Sequence, residues 1–214
     1  MIAPDMSKVC YTIADCINVI VEKFPDNGIF VESGTYIGNT AAFIVQALLK
    51  AKKKPRFYTI DNFKFTTVVN RQKQIDSLID KLAEEVEDGR RTYDYNIEYL
   101  GVKDYITTIE EDAIRAISKF QKVDCVFLDD NPNAQHIRQE LNLWIPKIAD
   151  GGLIIGDDYS DRSIGEVYNS IFGSNVLTKT KRGGCYIDID KYREYERDFC
   201  QYCGSYHCYC EQIR

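Results

Sequence analysis

Apolar residues recur at helical spacing over residues 7–24, where Val9, Ile13, Cys16, Ile17, Ile20 and Phe24 fall on one side. The run Pro25-Asp26-Asn27-Gly28 has the chemistry of a turn and closes that segment. A short apolar strand is expected at 28–32. The loop Ser33 to Gly38 follows, and Asn39 is placed to cap a helix reaching about residue 52. The same alternation then repeats. Strands are predicted at 57–61, 105–109, 123–129 and 153–157, and helices at 66–88, 112–120, 133–148 and 161–172. Two late strands, at 175–180 and 184–189, are separated by Lys181-Arg182-Gly183 and should pair as a hairpin. Such a pattern predicts an α/β fold: a Rossmann-like, doubly wound, mostly parallel seven-stranded sheet ending in a C-terminal antiparallel hairpin.

The alternation occupies residues 1–190 as one domain, with a helical insertion at about 62–104 and a cysteine-rich tail at 191–214. The insertion carries Arg71, Lys73, Arg90, Arg91, Tyr93, Tyr95 and Tyr99. It could cover a ligand site, form a homodimer contact or stand as a solvated helix. Of the 8 cysteines, Cys10, Cys16, Cys125 and Cys185 sit in apolar segments, and most of the four read as small buried hydrophobes. Cys200, Cys203, Cys208 and Cys210 surround His207 in the tail and offer ligands to a structural zinc ion. Reduced free thiols, or a metal shared between subunits, are the alternatives.

The net charge of −6 disfavours binding to duplex nucleic acid. No apolar run approaches the roughly 18 residues of a membrane span. Met1-Ile2-Ala3-Pro4-Asp5-Met6 has neither a basic region nor an apolar core, so a cytoplasmic protein is expected.

In open α/β sheets, ligands lie beyond the carboxyl ends of the strands. Glu32-Ser33-Gly34-Thr35-Tyr36-Ile37-Gly38-Asn39 follows the first strand with glycines in the spacing G-x-x-x-G. Glycine there lets the backbone turn and approach a ligand closely. The dinucleotide fingerprint G-x-G-x-x-G is absent, which weighs against a nicotinamide enzyme. Asp61 ends the second strand, where a carboxylate can accept both ribose hydroxyls. Glu110, Glu111 and Asp112 follow the third strand, Asp129 and Asp130 the fourth, and Asp157 and Asp158 the fifth. His136 falls in the helix after the fourth strand and reads as a helix-surface or capping residue, with a general base as the alternative.

Taken together, this order resembles the class I S-adenosylmethionine-dependent methyltransferases over about residues 25–190. Two stretches narrow the likeness: Phe127-Leu128-Asp129-Asp130 with Leu141 to Gly152, and Ile154-Ile155-Gly156-Asp157-Asp158-Tyr159. Both are similar to the macrocin O-methyltransferase-like enzymes, many of which methylate sugar hydroxyls with a divalent metal. The resemblance implies that Glu32, Gly34 and Gly38, with Ser33, Thr35, Tyr36 and Asn39 between and beside them, hold the methionine part of S-adenosylmethionine. It implies that Asp61 holds the ribose, with Asn62 and Phe63 beside it. Glu111, Asp112 and Ala113 would face the adenine, and Asp129 would border the cofactor. Asp129, Asp157 and Asp158 match the metal ligands. Where relatives carry Asp-Gly-Asp, this chain has Asp129-Asp130-Asn131, and Ala134 stands at a tyrosine position.

Three convergent carboxylates cannot all ionise without a cation or protons. A hard oxygen set suits Mg²⁺, Mn²⁺ or Ca²⁺, with Mg²⁺ expected here. A cation would orient an acceptor hydroxyl and lower its pKa, and Asp129 could take the proton as general base. The expected activity is methyl transfer to a small hydroxylated acceptor, a sugar or sugar nucleotide. An inactive cofactor-binding scaffold acting through the cysteine-rich tail, or an RNA ribose methyltransferase, remains as an alternative.

Overall fold

A computed structural model describes residues 9–64 and 89–198. The helix expected at 66–88 and the tail cysteines Cys200, Cys203, Cys208 and Cys210 lie outside the described residues. The elements in chain order are α1 (Tyr11–Lys23), β1 (Ile29–Ser33), α2 (Asn39–Lys50), β2 (Arg56–Asp61), α3 (Gly89–Tyr99) and β3 (Ile106–Glu110). They continue as α4 (Ala113–Ala116), β4 (Val123–Leu128), α5 (Ala134–Trp144), β5 (Ile148–Gly156), α6 (Arg162–Phe172), β6 (Leu177–Lys179), β7 (Cys185–Asp188) and α7 (Ile189–Asp198).

The seven strands form one sheet in the order β3-β2-β1-β4-β5-β7-β6. β1 to β5 run parallel, β7 is antiparallel to β5, and β6 is antiparallel to β7, as expected. Alternate residues of each inner strand supply two separate cores. Val31, Ile60, Val126 and Ile154 face one side, where Trp144, Tyr168 and Phe172 of α5 and α6 cover them. Phe30, Phe57, Cys125, Phe127, Leu153 and Ile155 face the other, under Ile13 and Ile20 of α1 and Ile44 and Leu48 of α2. Both faces are therefore dry, which explains why the strands read as apolar runs.

Several boundaries differ from the sequence reading for local reasons. The α2 cap is Gly38, at φ 82, and Asn39 is the first helical residue. A left-handed residue is needed there to turn out of the loop, and glycine adopts it without strain. β5 begins at Ile148, five residues before the expected start. A register shift between Val123 and Cys125 absorbs Gly151 and Gly152 into the strand. A Cβ on Gly152 would meet the Asp124 carbonyl oxygen at 2.6 Å, so the close approach of β4 and β5 needs that glycine. The helix expected over 112–120 is α-helical only through Ala116 and finishes as a 3₁₀ turn at Ile117–Lys119.

The chain builds β1, β2 and β3 outward on one side, then crosses back to place β4 on the other flank of β1. The order reverses between β1 and β4, and a crevice opens beyond their carboxyl ends. α1 closes one wall of this crevice. Its Thr12 is fully buried against β7, and a Cβ on Gly184 would meet Thr12 Oγ1 at 2.1 Å. α3, unforeseen as a discrete element, packs Tyr93 into the second core and donates from Asn96 Nδ2 to the Ile37 carbonyl oxygen at 2.9 Å.

Candidate active site

The crevice is a cleft of about 830 Å³. Its floor and walls gather carboxylates from five strand ends: Glu32, Asp61, Asp112, Asp129 with Asp130, and Asp157 with Asp158. Gly34, Thr35, Tyr36, Asn39 and Asn62 line it too. Ser33, Gly38, Phe63, Glu111 and Ala113 do not line it, and each has another part. Ser33 is buried and donates from Oγ to Glu140 Oε1 at 2.6 Å. Gly38 lies under the Tyr93 ring, and Phe63 packs against that same ring at 5.3 Å. Glu111 pairs with Lys119 at 3.0 Å, and Ala113 is buried.

Gly34 is the joint of the cleft. Its φ is 81, and a Cβ there would meet the Asp129 carbonyl oxygen at 2.3 Å and the Asp130 Cα at 2.4 Å. The loops after β1 and β4 touch through this glycine. Asp61 then ties the first loop to β2. Its Oδ2 accepts from the backbone N–H of Thr35 (3.1 Å) and Tyr36 (2.9 Å), and its Oδ1 from that of Phe63 (2.7 Å). Burial raises the Asp61 pKa while those three donors lower it, and the charge of Asp130 raises it further, with a net rise.

Glu32 is fully buried, and neither carboxylate oxygen has a hydrogen-bond partner. Burial pushes its pKa up to about 8, with Thr35 pulling it down and the charge of Asp61 adding to the rise. A buried unpaired carboxylate is costly in the charged form. The folded protein therefore holds the Glu32 proton more tightly than the unfolded chain, whose carboxyl titrates near 4.5. Stability contributed by this group is complete below pH 4.5 and is lost as the pH rises towards 8. Glu32→Gln is expected to remove that loss, at about 1.4 kcal/mol for each unit of pKa shift. Urea unfolding of cofactor-free protein at pH 5 and pH 8 should show a smaller drop for the variant. An equal drop in both proteins would remove Glu32 as its source.

On the floor, Asp129 and Asp157 face one another. Burial, then the charges of Asp157, Glu32 and Asp158, hold the Asp129 carboxyl well above the usual range. Thr12 Oγ1 donates to Asp157 Oδ1 at 2.6 Å. The third member of this cluster is the Cys10 thiol and not Asp158. Ligand atoms of Cys10, Asp129 and Asp157 lie within 4.8 Å of one another, whereas Asp158 is exposed at φ 55. Cys10 is thus not the plain hydrophobe of the sequence reading. It precedes the helix, flanked by polar Ser7, Lys8 and Thr12, and that flank was the available signal.

His136 belongs to the site as well. Its Nε2 stands 3.1 Å from Asp130 Oδ2 and 3.5 Å from Glu140 Oε2. Asp130 raises the His136 pKa, partial burial opposes, and Glu140 adds to the rise. Burial lifts Glu140 to about 7 against the Ser33 hydroxyl and His136. This Asp130–His136–Glu140–Ser33 chain links the β4 loop to the end of β1. Tyr11, Lys64 and Arg182 also line the cleft. Arg182 pairs with Asp15 at 2.7 Å and covers the Tyr11 ring at 4.9 Å.

The donor set fits the groups that the family resemblance implied. An orphaned buried carboxylate, Glu32, suits an ammonium group, and the glycine joint leaves room for a ligand backbone. Cys10, Asp129 and Asp157 suit a cation. Among the described residues, no helix is long and apolar enough to cross a membrane.

No curated protein matches the sequence. Among solved structures, the apo form of CalS11, a TDP-rhamnose 3'-O-methyltransferase of calicheamicin biosynthesis, is 13% identical with a TM-score of 0.53, covering 83% of this chain and 78% of that one. SAH-bound methyltransferase PaMTH1 of Podospora anserina is 12% identical with a TM-score of 0.56, covering 81% and 75%. Cofactor-bound Rv0187 from MTB is 13% identical with a TM-score of 0.55, covering 84% and 79%. At these identities the likeness is one of fold. A family model described as a methyltransferase domain matches residues 31–159, which run from β1 past the end of β5. That span holds the glycine joint and every strand-end carboxylate of the cleft, and the chain belongs to the class I S-adenosylmethionine-dependent methyltransferases.

Proposed function

We propose that the chain is an O-methyltransferase that methylates a hydroxyl of a small acceptor, a sugar or sugar nucleotide, with the help of a divalent cation. The observation that carries this reading is the Asp129–Asp157 pair on the cleft floor, beside the glycine joint. S-adenosylmethionine supplies a methyl group already activated as a sulfonium. The chain's work is to align donor and acceptor and to exclude water. Glu32 and the Gly34 loop hold the methionyl end, and Asp61 with Asn62 lies by the ribose. Asp112, which also caps α4 by accepting from Arg115 N at 3.2 Å, lies by the adenine. A bound cation would draw the acceptor oxygen to the floor and lower its pKa. Asp129 accepts the hydroxyl proton on a carboxylate oxygen. The acceptor enters past Tyr11 and Arg182.

The fold shared with a TDP-rhamnose 3'-O-methyltransferase supports a sugar acceptor. The test is methyl transfer from labelled S-adenosylmethionine to a panel of sugars, sugar nucleotides, amines and RNA, with and without a chelator. Label in a sugar methyl ether, lost on chelation, is the expected result. Label only in amines or RNA would overturn the acceptor class, and chelator-resistant turnover would overturn the metal. Calorimetry with S-adenosylhomocysteine accompanies it. Asp61→Ala is expected to weaken binding by more than about tenfold, roughly 1.4 kcal/mol, since it removes a cofactor partner and three loop hydrogen bonds. Unaltered affinity would remove Asp61 from the site.

A further inference from the structure

Three potential ligand atoms converge on the cleft floor: Cys10 Sγ, an Asp129 oxygen and an Asp157 oxygen, all within 4.8 Å of one another. Residue 10 is anchored there from two sides. Its backbone N–H donates to Thr40 Oγ1 of α2 at 3.1 Å, and two residues on, Thr12 Oγ1 donates to Asp157 Oδ1 at 2.6 Å. A purely packing role does not explain a half-buried thiol that faces two carboxylates across a cleft. A second observation points to cationic ligands in the same cleft. Glu32, which lines it beside these residues, is 0% exposed and both of its oxygens lack partners. Buried carboxylates without donors are matched by cations. A cofactor ammonium answers Glu32 and leaves the Asp129–Asp157 pair still to be matched.

We propose that Cys10 is the third protein ligand of a metal site completed by Asp129 and Asp157, and that this site takes a thiophilic divalent cation of the zinc, cobalt(II) or iron(II) class in preference to Mg²⁺. The proposal rests on the metal-assisted reading above. It departs from the all-oxygen set implied by family resemblance, in which Asp158 stood where the thiol now stands. Mg²⁺ takes oxygen ligands in near-ideal octahedral geometry, whereas a thiolate with two carboxylates selects a softer ion. Three protein ligands leave a position for an acceptor oxygen. Binding forms one metal–sulfur bond and expels the thiol proton to solvent, together with any proton carried by the Asp129 carboxyl.

The test is a cobalt(II) titration of the full chain in the presence of S-adenosylhomocysteine, followed by the sulfur-to-cobalt charge-transfer band in the near ultraviolet. Wild type is compared with Cys10→Ser and Asp129→Asn. The tail cysteines are present in all three proteins, so the difference spectra isolate the cleft. The wild-type minus Cys10→Ser difference is expected to show the band, saturating at one ion per chain. Each substitution should weaken that site by at least about tenfold, and Mg²⁺ should not displace the ion. Cobalt bound at an Asp129-dependent site with no Cys10-dependent band would overturn the thiolate ligand and leave the metal-assisted reading standing. Displacement by Mg²⁺ would overturn the preference for a soft ion. Three indistinguishable titrations would overturn both the site and the metal assistance. A thermal melt of each variant separates loss of a ligand from loss of the fold.

Discussion

Asp129→Asn is expected to lower turnover by about 10²- to 10⁴-fold, the usual contribution of a positioned general base. The substitution keeps the shape of the side chain and removes its capacity to take a proton. The variant should also be at least as stable as wild type. Asp129 is held against Asp157, Glu32 and Asp158, and the neutral amide relieves that repulsion. Affinity for S-adenosylhomocysteine should change little, since the proposed cofactor anchors lie on β1 and β2. Turnover, a melt and calorimetry on one preparation check all three statements. A loss fully restored by a higher concentration of cation would assign Asp129 to metal binding alone. Unchanged turnover would remove it from the chemistry.

Gly34→Ala is expected to abolish cofactor binding. A non-glycine residue at φ 81 costs about 1–3 kcal/mol in strain before any contact is considered. The new methyl group would also stand 2.3 Å from the Asp129 carbonyl oxygen and 2.4 Å from the Asp130 Cα. Those are backbone atoms and cannot swing away, so the β1 and β4 loops must part. Both loops form the cleft, and the loss should exceed 100-fold in affinity, about 2.7 kcal/mol. Gly101→Ala is the matched control. It has φ 69 with nothing within 4 Å of the new Cβ, so it carries the strain without the clash. It should bind S-adenosylhomocysteine normally. Equal losses in the two variants would assign the effect to strain and general instability.

Much of the fold could be read in the sequence because its signals are local. The apolar runs at Phe30-Val31, Val126-Phe127-Leu128 and Ile154-Ile155 mark strands buried on both faces, and their alternation with helices marks a mostly parallel sheet. The start of β5 could not be read, since Asp150-Gly151-Gly152 has the composition of a turn. Only the register shift opposite Val123 makes it strand. The carboxylates of the site were legible because sheet geometry sends every parallel strand end to one edge. Cys10, Arg182 and the partners of His136 were not. They reach the cleft through contacts between segments far apart in the chain, such as Thr12 with Asp157 and Arg182 with Asp15. Periodicity carries no information about such pairs.

The carboxylate lining has a consequence for the order of events in a catalytic cycle. The methyl donor enters as a sulfonium cation and leaves as a neutral thioether. Asp61 and Asp112 in that lining therefore attract the incoming molecule more strongly than the outgoing one. Methyl transfer itself switches off part of the attraction, so the spent cofactor is released into exchange with fresh donor instead of blocking the cleft. The bias is electrostatic, and added salt weakens it most at the open mouth, where charges more than about 8 Å apart are screened at physiological ionic strength.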